Sequence, residues 1–283
     1  MTVEPRPSDA PQPRTTRLLA IATSSEWCSV ALLRDGPRGP LVDCVSERAG
    51  TEHSRRVLPI AQSLLQEAGL GLRDLHAVAF DAGPGSFTGL RIGCGVVQGL
   101  GFALDVPVLA VSSLEALAWQ AGSTRVLAAI DARMNEVYVA ALGVSGSGPR
   151  LVAPIGVLAA AGAAGFLAQA LDAPAAFWAG AADVTAQGEA ERPGRRDELV
   201  AIGNAFARHP ALADALRRRG VGVEADAFPR ADAIAEIGLL RLAGGEGLDA
   251  SLAAPIYVRD KVALDVDEQR QLREQRASTG AAG

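Results

Sequence analysis

Apolar positions along the chain follow first the pattern of strands and then the period of helices. Arg17 to Thr23 and Trp27 to Leu33 are apolar runs separated by Ser24-Ser25-Glu26, which predicts two strands joined by a tight turn. Asp35-Gly36-Pro37 marks another turn, and Leu41 to Glu47 a third strand. Val57, Ala61, Leu64, Leu65 and Ala68 then recur at i, i+4, i+7, i+8 and i+11. That spacing predicts an amphipathic helix starting at His53-Ser54 and stopping at Gly69. Pro59 lies near its first turn, where proline is tolerated or introduces a kink. Leu75 to Phe80 and Val106 to Val111 read as buried strands. Ser112 and Glu115 are spaced as a capping box for a following helix.

Between those two strands runs DAGPGSFTGLRIGCGVVQGLGFAL, Asp81 to Leu104. Gly83-Pro84-Gly85-Ser86 reads as a turn and the remainder as a helix. Strand, glycine-rich turn and helix in that order could form an anion cradle. Glycine lets backbone approach a ligand, and free N–H groups at a helix start favour negative charge. Gly89, Gly93, Gly95, Gly99 and Gly101 all fall inside the helix. Each costs about 0.5–1 kcal/mol relative to alanine, so close packing against another backbone is expected to offset them. At about 100° per residue, Gly89, Gly93, Val96, Val97, Leu100 and Leu104 share one face. Arg91 and Gln98 are the strongly polar residues on the other side. A helix this apolar is expected to be buried nearly all round or to meet a partner.

The order βββαβαβα is that of a ribonuclease-H-like lobe. It begins again with strands at Arg125 to Ala132 and Asn135 to Val144. Weaker signals follow: a helix from Leu158 to Leu171, a short strand at Ala176 to Gly180, helices at 198–208 and 211–218, and a helix from Ala231 to Leu242. The expected organisation is a disordered extension at 1–16, one lobe at 17–122, a second at 123–259 and a charged tail at 260–283. The polar segment 183–197 is read as an inserted loop.

Composition narrows the class. With 49% hydrophobic and 21% charged residues, the 283-residue chain is an ordinary globular one. A formal net charge of −5 argues against a large nucleic-acid footprint, which needs a concentrated basic surface. Cys28, Cys44 and Cys94 form no CxxC pair, so reduced structural cysteines are expected. No uninterrupted apolar run reaches about 18 residues, so no membrane span is expected. The proline-rich start lacks the apolar core of a signal peptide.

Several stretches, in this order and at this spacing, carry a resemblance. They are LLAIATSSEWCSVALL, EHSRRVLPIAQSLL, FDAGPGSFTGLRIGCGVVQGLGFAL, VLAAIDARMNEVYVA and PIYVRD. Together they closely resemble the TsaB (YeaZ) family of tRNA threonylcarbamoyladenosine biosynthesis proteins. The likeness is dense from Leu18 to Val144 and returns at Pro255 to Arg259. GPGSFTGLRIG combined with AAIDARMNEVY is its specific part. It implies the two-lobed fold of actin, Hsp70 and sugar kinases, and a cytoplasmic, non-catalytic activating and scaffolding subunit. The implied partners are the paralogous, metal-carrying transferase TsaD and the ATPase TsaE. A homodimer is implied when the chain is alone, with tRNA met only through the complex. No cofactor of its own is implied, only ATP or ADP at the subunit interface. Partner contacts are implied for helices 53–69 and 88–104. By position these contribute Val57, Leu58, Ala61, Leu64 and Leu65, and Gly89, Gly93, Val96, Val97 and Leu100.

Other chemistry was weighed beside this. A stand-alone ATPase or kinase-like enzyme of the same fold would use Thr23, Ser24, Gly83, Gly85 and Ser86 as nucleotide contacts. The family usually has Asp where this chain has Ala22, so the carboxylate that would serve phosphotransfer is missing there. Thr23 to Ser25 read equally as a plain hairpin turn, and Ser86 or Thr88 as a helix cap. A metallopeptidase-like hydrolase would need convergent ligands, yet the position four after His53 is Val57. His76 and His209 make no ligand pair in the sequence. Asp131 either holds a metal-bound water, as an Asp there could in an active relative, or pairs with Arg133 in the turn. Arg217 to Arg219 with Arg208 and Arg230 form a basic cluster, read as a solvated face or a tRNA contact. The chain has no G-x-S-x-G, no Walker A motif and no G-x-G-x-x-G opening a helix after a strand.

Overall fold

Strands β1 (Arg17–Ala22), β2 (Trp27–Arg34) and β3 (Leu41–Arg48) form an antiparallel run in the computed structural model, which describes residues 15–36, 39–179 and 196–258. Strands β4 (Ala77–Gly83) and β5 (Val108–Ser112) continue the sheet parallel to β1, in the order β3-β2-β1-β4-β5. The inner strands are apolar on both sides because helices cover both faces. Helices α1 (His53–Glu67) and α2 (Phe87–Leu104) lie on one face, where Val57, Leu64 and Val97 pack with Ile21, Leu32 and Phe80.

The chain then repeats the plan. Helix α3 (Ser113–Gln120) leads to β6 (Ser123–Arg133), β7 (Glu136–Ser145) and β8 (Gly148–Leu151). After β9 (Gly156–Ala159), α4 (Ala160–Leu171) and α5 (Ala175–Ala179) come β10 (Arg196–Ile202), α6 (Ala205–Arg208), α7 (Pro210–Arg217), β11 (Gly222–Glu224) and α8 (Ala231–Ala243). The second sheet runs β11-β10-β6-β7-β8, with β9 also paired to β7. Counted from β8 this is the first sheet's order, with the same parallel and antiparallel neighbours. The fold is therefore a duplicated ribonuclease-H-like lobe, the two-lobed architecture of actin, Hsp70 and sugar kinases.

The closing helix of each half crosses to the other. α8 packs on β1, β2 and β4 of the first sheet, and α3 packs mainly on β6, β7 and β8 of the second. One apolar core therefore runs through both sheets, joining Ala20, Leu109, Leu117, Ala128, Leu142 and Ile234. The second sheet begins at Ser123, while these helices cross between the two sheets. The segment after α8 also returns to the first lobe, where Val108 and Leu248 exchange backbone hydrogen bonds and Ile256 N donates to Ala82 O at 2.7 Å.

The second half also corrects local expectations. The first part of the expected helix at 198–208, up to Ile202, is strand β10, and only α6 is helical, because β10 lies between β6 and β11 and takes its hydrogen bonds from them. Residues 176–179 of the expected strand at 176–180 fall on helix α5, residue 180 lying outside the described residues, and Leu158 and Ala159 belong to β9. Strands β8 and β11 carry no sequence signal of their own, being three or four residues long. Residues 196 and 197, expected in the inserted loop, begin β10. The extension at 1–14, the loop at 183–195 and the tail from 259 lie outside the described residues. Among the described residues, α2 is the one helix long and apolar enough to cross a membrane, at 18 residues and mean hydropathy 1.3. Its inner face, including Leu90, Cys94 and Val97, is buried in the fold.

Candidate functional site

The turn after β1 is held by a carboxylate from the adjacent strand. Ile21 pairs with Phe80 across β1 and β4, which sets Ala22 beside Asp81. Asp81 has no exposed surface. Thr23 N donates to its Oδ1 at 3.1 Å, and Ser24 N to its Oδ2 at 2.9 Å. Burial pushes the Asp81 carboxyl up to about 6, against the pull of hydrogen bonds from Ser24 and Thr23. Among the described residues no ion pair reaches it. Ser113 Oγ donates to Ser24 Oγ at 3.2 Å, tying the same turn to α3.

The glycine-rich stretch receives this turn. A Cβ at Gly85 would lie 2.5 Å from Ser24 O, one at Gly93 2.6 Å from Thr23 Oγ1, and one at Gly89 would overlap Thr23 O. Ser86 N donates to Ser24 O at 2.6 Å, and Thr23 Oγ1 donates to Gly89 O at 2.8 Å. Ser86 is the N-cap of α2, its Oγ accepting from Gly89 N at 3.3 Å. Turn and helix start thus pack backbone against backbone. Of the five expected nucleotide contacts, Ser24, Gly85 and Ser86 line the neighbouring cleft, whereas Thr23 and Gly83 are buried.

That cleft, about 800 Å³, opens between the halves. Opposite Ser24 stands the hairpin Asp131 to Asn135, in which Arg133, Met134 and Asn135 all adopt positive φ, at 64°, 52° and 61°. Asp131 N donates to Asn204 Oδ1 at 2.9 Å, and Arg133 N donates to Asp131 Oδ1 at 3.2 Å. The Arg133 guanidinium is 3.8 Å from Asp131 Oδ2, so the two pair within their turn. His209 Nε2, in the sequence an isolated histidine, lies 3.7 Å from Asp131 Oδ1. A third wall comes from the returning segment. Arg91 stacks on Phe87 at 3.9 Å and donates from Nε to Tyr257 Oη at 3.3 Å, and Gln98 Nε2 donates to Ala253 O at 2.8 Å. The polar side of α2 is therefore the seat of residues 253–257. The DARMN and PIYV stretches and the glycine-rich turn, distant in sequence, meet at this one cleft.

The sequence profile described as "TsaD: tRNA N6-adenosine threonylcarbamoyltransferase" matches residues 44–149. Over 126 residues the chain is 49% identical to the tRNA threonylcarbamoyladenosine biosynthesis protein TsaB of Escherichia coli K12, covering 43% of this chain and 53% of that protein. The TsaB of Haemophilus influenzae is 49% identical over 125 residues, 43% of this chain and 51% of that protein. The chain thus spans about half the length of the curated relatives it matches. The solved structure of YeaZ from Pseudomonas aeruginosa superposes with a TM-score of 0.67 at 35% identity, over 86% of this chain and 100% of that one. This chain belongs to the TsaB/YeaZ family.

The sequence reading of Ala22 predicted no charged group at this turn. The structure corrects that: Asp81 supplies a carboxylate from one strand over. Asp81 is a buried residue of this turn that the sequence reading did not single out, although a signal was there. It is the one charged residue of β4, whose seven residues are all buried.

The expected partner face also divides. Val57, Ala61, Leu64, Leu65, Val97 and Leu100 point into the chain's own core, and Gly89 and Gly93 face the Thr23 turn, so none of these is free for a partner. Gly101 likewise packs inward, against Val108 and Ala250. The accessible part is Leu58 on α1 and, on α2, Gly95, Val96, Gly99, Phe102 and Ala103. A Cβ at Gly95 or Gly99 meets nothing within 4 Å. Phe102 is 70% exposed, and Leu252 in the 3₁₀ turn Ala250–Leu252 beside it is 68% exposed.

His53 is buried at the start of α1 with Nε2 3.3 Å from Trp27 O, and His76 Nδ1 accepts from Arg17 N at 3.0 Å. Among the described residues no three His, Cys, Asp or Glu side chains gather as a metal-ligand group. In the basic cluster, Arg217 pairs with Asp214, Arg219 with Asp172 and Arg230 with Asp232. Cys28 and Cys94 are buried and Cys44 is exposed, all as free thiols, and burial pushes the Cys28 thiol up to about 12.

Proposed function

We propose that this chain is a non-catalytic activating and scaffolding subunit for transfer of threonylcarbamoyl to the adenosine beside the anticodon of tRNA. The observation that carries the reading is 49% identity to two proteins named for tRNA threonylcarbamoyladenosine biosynthesis. Its partner is a transferase of the TsaD type, and the TsaD profile match over 44–149 supports kinship between the two chains. The docking surface is the outward ridge of α2, Gly95, Gly99, Phe102 and Ala103, with Leu58 and Leu252 beside it. Small residues there allow a partner helix close approach, and exposed apolar side chains gain from burial. Two copies of this chain pair through the same ridge when the transferase is absent. TsaE joins the assembly, any nucleotide sits at the junction with the partner, and tRNA is met through the complex in the cytoplasm.

Reconstitution of tRNA modification with purified TsaD and TsaE, with and without this chain, tests the reading. Modification is expected only when the chain is present. Phe102→Glu and Gly99→Leu are expected to fold normally and lose capture of TsaD. Full modification without the chain, or undiminished capture by both variants, overturns the proposal.

A further inference from the structure

The backbone N–H groups of Thr23 and Ser24 converge on one acceptor, as successive N–H groups do in the concave nests that bind anions. Here both face Asp81, which offers one oxygen to each and has no exposed surface. The other side of the nest is closed by Gly85 and Gly89, which seat the Ser24 and Thr23 carbonyls directly on the start of α2. We propose that Asp81 is a built-in anion that fills the donor nest of the 22–24 turn and closes the first-lobe wall of the cleft to external phosphate. The vacated nest would take a small carboxylate.

Two features support this. The carboxylate comes from the strand beside β1 and not from the turn, so its position depends on sheet pairing and survives motion of the turn itself. Ser24 is also engaged on every polar group the structure describes: its N–H with Asp81, its carbonyl with Ser86 N and its hydroxyl with Ser113. A phosphate at this turn would have to displace all three and bring a second anion against Asp81, whose buried charge would repel it.

The test uses the isolated chain, so its failure is separate from failure of the partner reading. In the wild type, the Thr23 and Ser24 amides should be protected from hydrogen exchange. Neither inorganic phosphate nor Mg-ATP should shift their resonances or the melting temperature beyond matched sodium chloride. In Asp81→Ala both amides should lose protection at least tenfold and the melting temperature should fall. Sodium formate should restore both with a saturating dose response that chloride does not reproduce. Should Asp81→Ala not fold, Asp81→Asn keeps the volume but only one acceptor oxygen, and one of the two amides should exchange faster. Titration of wild-type Thr23 or Ser24 amides by phosphate or Mg-ATP overturns the proposal. So does an Asp81→Ala chain indifferent to formate, or an Asp81→Asn chain with both amides protected as in the wild type.

Discussion

The two halves build the same turn in the same place and use it differently. In the first, the β1–β2 turn is pulled inward, with Thr23 fully buried and both amides held by Asp81 from β4. In the second, the β6–β7 turn stands out into the cleft on three left-handed residues, and its one inward amide, from Asp131, is held by Asn204 just past β10. The acceptor comes from β4 in one sheet and from just past the equivalent strand, β10, in the other. A buried carboxylate takes two donors and brings a desolvation cost, whereas a neutral amide takes one donor without a charge. Duplication supplied the scaffold, and the residue chosen at one position decided which turn is sealed and which projects.

Substitutions that fill the seat of each turn should have the largest effects. Gly89→Val drives a side chain into Thr23 O, and Gly203→Val does the same to Ala129 O from a residue at φ +130°. Each is expected to cost about 3 kcal/mol or more, from overpacking against backbone that cannot yield. Urea denaturation checks this, and a wild-type midpoint for Gly89→Val would break the account of the first turn.

The pH response of the first turn should come next. Burial raises the Asp81 carboxyl from 3.8 to about 6, so the folded chain holds its proton more tightly than the unfolded one. Stability from this group is therefore greatest below about pH 4 and is lost as pH rises through about 6, by roughly 2–3 kcal/mol. Denaturation midpoints across that window should fall in the wild type and level out in Asp81→Asn. A parallel slope in both would detach the effect from Asp81.

Removing the acceptor of the second turn should matter less. Asn204→Ala orphans one partly buried amide and should cost about 1 kcal/mol by chemical denaturation. A loss above that of Asp81→Ala would reverse the ranking of the turns. The smallest effect is expected on the outward ridge of α2. A Cβ at Gly99 meets nothing, so Gly99→Ala should stabilise the isolated chain by about 0.5–1 kcal/mol, read as a small rise in melting temperature.

Much of the first half was legible from local chemistry. The runs at 17–33, the stripe from Val57 to Leu65 and the Ser112–Glu115 box became β1, β2, α1 and the start of α3, because period and capping act within a few residues. The stretches 23–25, 83–87 and 131–135 were recognisable as special, and they do meet at one cleft.

Less of the second half was, because its strands form by pairing. The sequence at 198–208 reads as a helix until β6 and β11 take the hydrogen bonds of β10. The glycines of α2 show the same limit. Sequence alone determined that a helix with five glycines must have backbone or a partner close by. Only the tertiary structure decided that Gly89, Gly93 and Gly101 face the chain itself while Gly95 and Gly99 face outward. It likewise decided that Asp81 holds the turn after Ala22 and that α3 and α8 trade sheets. Periodicity is set by neighbours in the chain, but what a face meets is set by residues far along it, brought together when the two sheets close on one core.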